Sequence, residues 1–513
     1  MSAVVDAIRR HAATMPSASA LVDANERVGY AELAARVEEW SVVLRRHRVG
    51  TFALAAGNRP AWVIADVAAL NTGASVVPVP DFFSPAQLRH VLRDSGADAM
   101  LADAASAAAG ICLGAEPLAA LPDGMRLLRL RPAPDAAPPR DAVRISYTSG
   151  TTGEPKGARL PIATLESVAE SVREATRAVD VRRHLCLLPL PTLLENVAGV
   201  YAPLLAGAEV AVPGSAETGL VGSARLDALR LLTCIGSYRP HSIIVVPQML
   251  DALVRVIEGG GARPESLRFI AVGGAHTSQS LLERAERCGL PVYEGYGLTE
   301  CGSVVALNTP GARRVGSVGR PLAHARVRVD ESGEIVVSGA VMSGYTHQSA
   351  AAGSGDAPYS GGGGAVAEVR TGDLGRLDPD GFLYVHGRRR NVFITSFGRN
   401  VSPEWVEAAL GSSPHIAQAA LFGEARPWNV AVLVPMPGAT EADIDAHVEK
   451  VNAELPDYAR VGQWITASEP FSAANGLSTA NGRPRRERIL RRYRVRIDRC
   501  YDELLTDIPR SHA

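Results

Sequence analysis

The sequence predicts an α/β protein with a large N-terminal domain and a small C-terminal domain. Its 513 residues exceed the roughly 250–300 residues at which a single core stops growing. Short apolar runs alternate with longer helical patterns over 1–130, which is typical of doubly wound parallel sheets. An arginine-rich run at 387–391 separates these elements from a last set of helices and strands. We therefore predict domains at 1–386 and 387–513.

Composition indicates a folded protein and argues against several partners. Hydrophobic residues make up 46% of the chain, charged residues 21%, and the formal net charge is −1, so we expect no nucleic-acid partner. Residues 1–16 lack the apolar core of a secretory signal, and no apolar run is long enough to form a transmembrane segment. The cysteines form no C-x-x-C pair, and the histidines lack metal-ligand spacing. We expect a cytoplasmic protein with reduced thiols and no transition metal.

The periodicity of apolar residues predicts the elements of both domains. A small β-barrel-like region is expected from 315–321 and 333–344, and surface connections from the proline-rich 131–140 and the glycine-rich 351–365. Helices are predicted at 4–11, 30–44, 61–71, 87–95, 160–175, 195–205, from 402 onward, 442–454 and 485–505, and strands at 52–56, 74–78, 99–102, 186–191, 210–212, 242–246, 269–272, 419–422 and 430–434.

A polyphosphate-binding loop is predicted after the short apolar run at 143–145. The stretch 148–157 contains four hydroxyl side chains, three glycines and one lysine. Glycines let backbone N–H groups turn toward an anion, hydroxyls donate to phosphate oxygens, and lysine adds charge. Lys156 and Lys450 are the only lysines among 53 cationic residues, which argues against a generic surface charge. Composition alone leaves a flexible polar turn as an equal alternative. The helix predicted at 160–175 would begin just after this loop, where its dipole favours anions.

Two strand ends carry patterns that favour ligand binding. The strand at 269–272 runs into two glycines and an alanine, which either permit close approach of a ligand or form a tight turn. In the run 292–300, Tyr296 lies between glycines and can stack on a flat base. Glu300 either offers oxygen to Mg²⁺ or is an acid at the start of a helix.

Two further stretches each allow two interpretations. Asp373 follows a glycine and is either a turn residue or an acceptor for two sugar hydroxyls. The last helix, predicted at 485–505, has arginines on its other faces. They form either a solvated face or a surface that attracts a polyanionic thiol such as coenzyme A.

Four blocks in this order, over nearly the whole chain, resemble the superfamily of acyl- and aryl-CoA synthetases, peptide-synthetase adenylation domains and luciferases. Within it, 391–403 and 475–486 are most similar to long-chain acyl-CoA synthetase-like members. The four blocks are 148–157, 296–300, 371–373 and 387–388.

The resemblance implies an acid–thiol ligase that works in two steps. A carboxylate attacks the α-phosphate of MgATP to give acyl-AMP and pyrophosphate, and a thiol then takes the acyl group. The implied cofactors are ATP, Mg²⁺ and the thiol of CoA or of phosphopantetheine on an acyl or peptidyl carrier protein. The resemblance also implies a small C-terminal domain that rotates between the steps, with a hinge near 388–390 at Arg390. We expect a monomer or homodimer.

The resemblance also assigns roles to individual residues. Lys156, Thr299 and Arg483 are the implied catalytic residues, and Glu300 is the implied metal ligand. The 148–157 loop would hold the β- and γ-phosphates, Thr299 would contact the α-phosphate, Tyr296 would stack on adenine, and Asp373 would bind ribose with help from Arg388. The implied nucleotide-binding residues are Thr148, Ser149, Gly150, Thr151, Thr152, Gly153, Lys156, Gly274, Ala275, Glu294, Gly295, Tyr296, Gly297, Thr299, Asp373 and Arg388. The implied substrate-binding residues are Leu194, Glu195, Asn196, Gly273, Gly297 and Ser303.

Two positions refine these expectations. The family pattern has a lysine where this chain has Arg483, and arginine keeps the charge but brings a larger, forked head. We expect adenylation of altered efficiency, and a nucleotide-binding protein without ligase chemistry is the alternative. Amino-acid activators place an aspartate near 192–196, and this chain has none there. The prediction is a plain carboxylic acid, aliphatic or fatty, although Glu195 would suit a cationic substrate.

Overall fold

The computed structural model describes the chain outside 1, 82, 84, 132–141, 149–155, 222–224, 347–358, 361–366, 390, 396–399, 456, 480–481 and 503–513. The chain divides into two units. The first contains Met1–Ala275, Ala285–Thr371 and Arg376–Tyr384, and the second contains His276–Arg284, Gly372–Gly375 and Val385–Ala513.

The first unit contains a nine-stranded sheet with a parallel centre. Six strands from Ser19–Val22 to Val292–Tyr296 run parallel, and the outer strands at both edges are antiparallel. The strand order is Arg320–Pro321, Ala306–Leu307, Val292–Tyr296, Phe269–Val272, Ser242–Val245, Arg183–Leu185, Glu209–Ala211, Ser19–Val22 and Arg27–Gly29.

An eight-stranded sheet in the same unit also has a parallel centre and antiparallel edges. The central strand Thr51–Ala55 is buried along its whole length, as expected of a parallel strand covered on both faces. The strand order is Gly344–Tyr345, Lys156–Leu160, Arg144–Thr148, Ser75–Pro78, Thr51–Ala55, Ala99–Ala102, Arg126–Arg129 and Glu116–Ala120.

Helices cover these sheets and share one large core with them. The helix Pro60–Thr72 is apolar nearly all round and buried, so it lies inside the unit and not on its surface. Pro60 starts it and Gly73 ends it in the left-handed conformation. The other α-helices that involve this unit are Ala3–Thr14, Tyr30–Arg46, Pro85–Asp94, Ala104–Cys112, Ile162–Ala175, Ala202–Ala206, Ser215–Thr218, Ala228–Tyr238, Pro247–Glu258 and Gln279–Arg287.

Shorter elements complete the first unit. A π-helix spans Glu195–Tyr201, and 3-10 turns span Pro122–Gly124, Arg177–Val179 and Thr299–Cys301. A two-stranded ribbon pairs Leu220–Val221 with Arg225–Leu226. The small β region predicted from 315–321 and 333–344 is found only in part. Glu334–Gly339 belongs to a separate antiparallel sheet, whereas Arg320–Pro321 is an edge strand of the nine-stranded sheet. The strands of the antiparallel sheet are Ala325–Val329, Glu334–Gly339, Glu368–Leu377, Tyr359–Ser360 and Leu383–Arg388.

The second unit has a three-stranded mixed sheet with helices packed against it. Two apolar clusters lie on the two sides of this sheet, because alternate residues of Ile416–Phe422 belong to different clusters. Its strands are Ile416–Phe422, Asn429–Pro435 and Val461–Thr466, its helices are Pro403–Gly411, Glu441–Glu454 and Arg486–Asp502, and its smaller elements are Phe393–Ile394, Asn400–Val401 and the 3-10 turn Asp457–Ala459. The α/β class with a large N-terminal part and a smaller mixed α/β part is confirmed.

Three sequence predictions need correction. The helix predicted from 160 begins at Ile162, and a strand, Lys156–Leu160, separates it from the phosphate loop. The strand predicted at 186–191 lies earlier in the chain, at Arg183–Leu185, and 186–191 is not a strand. Within the predicted loop 351–365, Tyr359–Ser360 is a strand that pairs with Glu368 and Val369, and the rest lies outside the described residues. Both missed strands form by antiparallel pairing with a neighbouring strand of the chain.

Candidate active site

An antiparallel hairpin holds the two ends of the predicted phosphate loop. Thr148 pairs with Lys156 across the strands Arg144–Thr148 and Lys156–Leu160, so the loop spans a hairpin and not a strand-to-helix connection. Lys156 is exposed, and its Nζ lies 5.9 Å from the centroid of the Tyr345 ring. The predicted contacts Ser149, Gly150, Thr151, Thr152 and Gly153 lie outside the described residues.

Glu300 lies in the short turn Thr299–Cys301, which follows the strand Val292–Tyr296. The Tyr345 hydroxyl donates to Glu300 Oε1 at 2.7 Å, and the Met342 N–H donates to the Glu300 carbonyl at 2.7 Å. Tyr345 belongs to a strand that pairs with Lys156–Leu160. Because of this pairing, the predicted phosphate-binding cation and the predicted magnesium ligand both contact one tyrosine, which sequence analysis did not single out.

The two glycine-containing strand ends meet at the carboxyl edge of the nine-stranded sheet. Val272 pairs with Glu294 in neighbouring parallel strands, which places Gly273, Gly274 and Ala275 beside the run that leads to Tyr296. A Cβ at Gly273 would lie 3.1 Å from Gly295 O. Ligands of open α/β sheets bind outside the carboxyl ends of the strands, so this edge suits a nucleotide.

The turn after Tyr296 needs glycine for steric reasons. A Cβ at Gly297 would lie 1.5 Å from Ser303 O. Ser303 itself is buried and has φ 108°, a conformation that costs energy for a residue with a side chain. Strained backbone of this kind clusters at functional sites, and both residues were predicted to contact the substrate.

Glu294 is a half-buried carboxyl at the same edge of the sheet. Burial raises the pKa of Glu294 to about 8, and the positive charge of Arg313 offsets this only in part. At neutral pH the carboxyl is therefore mostly protonated, and a protonated carboxyl can donate a hydrogen bond as well as accept one.

The second unit holds its own set of predicted site residues. Arg388 Nε lies 3.1 Å from Asp373 Oδ1, and Asp373 is mostly buried. The Arg389 N–H donates to the carbonyl of Gly372, which has φ 70°. Arg483 is exposed in a turn in which its N–H donates to Thr479 Oγ1 at 3.1 Å. The predicted hinge residue Arg390 lies outside the described residues.

The structure argues against two of the predicted substrate contacts. The side chains of Glu195 and Asn196 are fully buried. Glu195 accepts from the Leu188 N–H and pairs with His184, both at 2.9 Å, and Asn196 donates to Asp66 at 2.9 Å. These partners hold both oxygens of Glu195 and the amide nitrogen of Asn196 within the core. Leu194 is only partly buried.

Asp66 also anchors the strand that leads into the phosphate loop. It pairs with the fully buried Arg144 and accepts a 2.6 Å hydrogen bond from the Tyr201 hydroxyl. Tyr201 also accepts from Arg144 at 2.8 Å. No pattern in the sequence indicated this network, because its members come from three separate elements.

No helix among the described residues is long and apolar enough to cross a membrane. The six cysteines are free.

The architecture is that of enzymes that form adenylates. Residues 8–346 match the family described as AMP-binding enzyme, and residues 390–505 match its C-terminal domain. The chain therefore belongs to the AMP-binding enzyme family, and the comparisons support an AMP-forming acid–thiol ligase that uses ATP and CoA.

Several characterised proteins are similar to this chain. The 2-succinylbenzoate–CoA ligase of Bacillus velezensis is 30% identical, with 80% of this chain and 83% of that protein covered. The long-chain-fatty-acid–CoA ligase FadD15 of Mycobacterium bovis is 24% identical, with 86% of each chain covered. The feruloyl-CoA synthase of an Amycolatopsis species is 30% identical, with 84% of this chain and 88% of that protein covered.

Two solved structures have the same fold. The o-succinylbenzoate CoA synthetase MenE of Bacillus subtilis, in complex with its acyl-adenylate intermediate, is 25% identical at a TM-score of 0.73, with 94% of this chain and 97% of that chain covered. The anthranilate CoA ligase AuaEII, in complex with anthranoyl-AMP, is 18% identical at a TM-score of 0.77, with 97% of each chain covered.

Proposed function

We propose that this protein activates a plain carboxylic acid with ATP, as acyl-AMP, and passes the acyl group to CoA. The observation that carries the proposal is the meeting of Lys156 and Glu300 at Tyr345, beside a loop rich in glycine and hydroxyl groups. A cation and a carboxylate in one place suit the phosphates of MgATP, since both help to neutralise the charge of the transferring group.

In this proposal the first unit binds most of the nucleotide. Lys156 and the 148–153 loop hold the β- and γ-phosphates, Thr299 contacts the α-phosphate, and Glu300 is the ligand for Mg²⁺. When bound, Mg²⁺ neutralises phosphate charge, and the single carboxylate at Glu300 fits an ion that keeps several waters. The adenine site consists of Gly274, Ala275, Glu294, Gly295, Tyr296 and Gly297.

Residues of the second unit supply the remaining roles. Asp373 accepts the two ribose hydroxyls, and Arg388 orients its carboxylate through their 3.1 Å ion pair. Arg483 takes the position of the family's lysine and offsets the negative charge that develops between the carboxylate and the α-phosphate. We also propose that the two domains meet between residues 386 and 387 and that Arg390 is the hinge residue.

The proposed reaction consists of two successive displacement steps. A carboxylate oxygen of the acid bonds to the α-phosphorus, and the bond from that phosphorus to pyrophosphate breaks. The sulfur of the thiol next loses its proton to solvent and bonds to the acyl carbon, the mixed anhydride bond breaks, and AMP leaves. Preorganised positive charge stabilises both steps, because it meets charge where it develops.

Two observations support a plain carboxylic acid over an amino acid. The stretch 192–196 has no aspartate to pair an amine, and Glu195 is occupied in the core by His184 and Leu188. We propose an aliphatic or fatty acid, as the long-chain relative suggests by its name. The succinylbenzoate and feruloyl relatives favour an aromatic acid as the second candidate.

The decisive experiment is pyrophosphate release with a panel of aliphatic and aromatic acids, with CoA and a phosphopantetheinylated carrier protein offered separately. We expect release with at least one acid and thioester formation with CoA. Thioester on the carrier protein alone would move the acceptor to that protein, and no release with any acid would favour a binding protein without ligase chemistry. Lys156→Ala should abolish release, whereas Lys450→Ala, which removes the exposed second lysine, should not.

A further inference from the structure

Two arginines and a histidine lie side by side at the amino ends of neighbouring strands of the nine-stranded sheet. Arg183 is the first residue of its strand, and His241 and Arg268 immediately precede the strands Ser242–Val245 and Phe269–Val272. The His241 N–H donates to Arg183 O at 2.9 Å, and His241 O accepts from the Arg268 N–H at 2.8 Å. Since neighbouring strands are about 4.8 Å apart, these residues span roughly 10 Å.

Two further arginines join them around one cavity. Arg182 precedes Arg183, and Arg239 follows the helix Ala228–Tyr238. Together with Glu265 and Ser266, the four arginines and His241 line a cavity of about 370 Å³. Binding sites for small molecules range over about 300–1,000 Å³ and usually have apolar walls. A wall of this size made of arginines and a histidine suits a charged ligand instead.

The neighbouring acids leave an excess of positive charge. Asp180 lies 2.9 Å from Arg182 and 3.8 Å from Arg268, and Glu209 pairs with Arg183. Among the residues that the structure describes, Arg239 makes no ion pair. With Glu265, three carboxylates lie near the four guanidinium groups. The charge of one guanidinium group, that of Arg239, is therefore uncompensated.

His241 adds a directed donor to this wall. Its Nδ1 accepts from the Arg182 N–H at 3.0 Å, so the ring proton of the neutral imidazole lies on Nε2. Burial lowers the pKa of His241, and the positive charges of Arg268 and Arg183 lower it further. The histidine thus reports the same positive potential that an anion would meet in the cavity.

The cavity lies at the opposite end of the strands from the candidate active site. The chain runs through one strand from Arg268, at the cavity, to Gly273, at the predicted substrate edge. Five residues of extended chain cover roughly 17 Å, so the two places are distinct.

We propose that this cavity is a second ligand site, for a small molecule that carries two or more phosphoryl groups. Arginine forks match phosphate oxygens with paired donors, and the roughly 10 Å spread of the strand starts exceeds the size of one phosphate. Nothing in the proposed ligase reaction uses these residues. Occupancy would stabilise the first unit by mass action.

The test is equilibrium dialysis of the full chain with labelled pyrophosphate. The double variant Arg239→Gln/Arg268→Gln removes two charges and keeps side-chain length, and Lys156→Gln/Glu300→Gln removes the proposed catalytic contacts. We expect two bound pyrophosphates in the wild type and one in each double variant. Arg131→Gln is the matched control, because Arg131 is 86% exposed and pairs with Glu116, a residue of the other sheet. This variant should keep both sites.

Clear results would overturn the proposal. One such result is a wild type that binds a single pyrophosphate, with binding lost in Lys156→Gln/Glu300→Gln. The other is a wild type that binds two pyrophosphates, both with unchanged affinity in Arg239→Gln/Arg268→Gln. Inorganic phosphate that binds as tightly as pyrophosphate would overturn the assignment of several phosphoryl groups. Competition by CoA or by ATP at the remaining site of Lys156→Gln/Glu300→Gln would support it and show which source of phosphates fits. Pyrophosphate exchange, measured in parallel, separates this result from the ligase proposal.

Discussion

The hydroxyl of Tyr345 donates a 2.7 Å hydrogen bond to the carboxylate of Glu300, 45 residues away in the chain. The same ring lies beneath the ammonium group of Lys156. Tyr345 holds this position because its strand pairs with the strand that begins at Lys156. One tyrosine therefore fixes the separation between the cation and the carboxylate that we propose for MgATP.

Tyr345→Phe should weaken the use of Mg²⁺. A hydrogen bond to a charged group contributes about 1.5–3 kcal/mol, and its loss frees the Glu300 side chain. We expect the Mg²⁺ concentration for half-maximal pyrophosphate exchange to rise about tenfold, since about 1.4 kcal/mol is a factor of ten. A magnesium titration at fixed ATP measures it. Tyr384→Phe, which removes another tyrosine–carboxylate bond, to Asp378, is the control and should show no shift; an unshifted Tyr345→Phe would contradict the role.

Gly157→Ala should disturb the end of the phosphate loop. A Cβ there would lie 2.9 Å from atoms of Ile145, Tyr147 and Thr346, and overpacking of this kind costs about 1–3 kcal/mol. We expect a lower urea midpoint and reduced pyrophosphate exchange, because Lys156 is the adjacent residue. Gly57→Ala has nothing within 4 Å of its new methyl group and should behave as the wild type. If the two variants had the same urea midpoint and the same pyrophosphate exchange, the hairpin would accommodate the added methyl group without loss of stability.

Asp66→Ala should be among the most destabilising single changes in the first unit. It leaves the buried Arg144 without its counter-charge, which typically costs about 3–5 kcal/mol. Urea unfolding of the full chain, followed by tryptophan fluorescence, measures the change. Glu116→Ala removes one partner of an exposed pair with Arg131 and should cost less than about 1 kcal/mol. A similar small cost for Asp66→Ala would mean that water reaches Arg144.

Glu294→Gln should change how stability depends on pH. The pKa of Glu294 is raised by burial from 4.5 to about 8, so between these values the folded state holds a proton that the unfolded state releases. Stability contributed by this group is therefore present at low pH and is lost as pH rises from about 4.5 to 8, at up to about 1.4 kcal/mol per pH unit. The free energy of unfolding of the variant, measured in urea, should therefore rise relative to that of the wild type from pH 5 to pH 8. If the free energies of unfolding of Glu294→Gln and the wild type changed equally with pH, the prediction would be wrong. Glu116→Gln changes an exposed carboxylate and is the control, and its free energy of unfolding should follow that of the wild type across this pH range.

Arg483→Ala should separate the two half-reactions. If Arg483 offsets charge during adenylation, its loss should lower pyrophosphate exchange about a hundredfold or more, while thioester formation from supplied acyl-AMP should change little. Arg483→Lys keeps the charge and should retain exchange. Arg488→Ala removes an exposed arginine of the same unit and serves as the control. Unchanged exchange in Arg483→Ala would remove Arg483 from the mechanism.

Some elements could be predicted from the sequence, and others could not. The strand predicted at 269–272 has those bounds in the structure, and the helix predicted at 442–454 spans Glu441–Glu454, because local periodicity and end signals suffice for such elements. Lys156–Leu160 was missed, since its five residues show no clear alternation and become a strand through pairing with Arg144–Thr148. Glu195 and Asn196 were predicted to start a helix and to bind the substrate, whereas they have buried partners up to 130 residues away.

The sequence by itself determined the class of protein and the chemistry of its blocks, because glycines, hydroxyls, one rare lysine and acids at fixed spacing retain their meaning without coordinates. Only the tertiary structure decided which of these residues meet. Sheet pairing placed Tyr345 between Lys156 and Glu300, and brought Arg183, His241 and Arg268 to one edge. Such contacts depend on the register of strands far apart in the chain, and side-chain burial follows from that register and not from local composition.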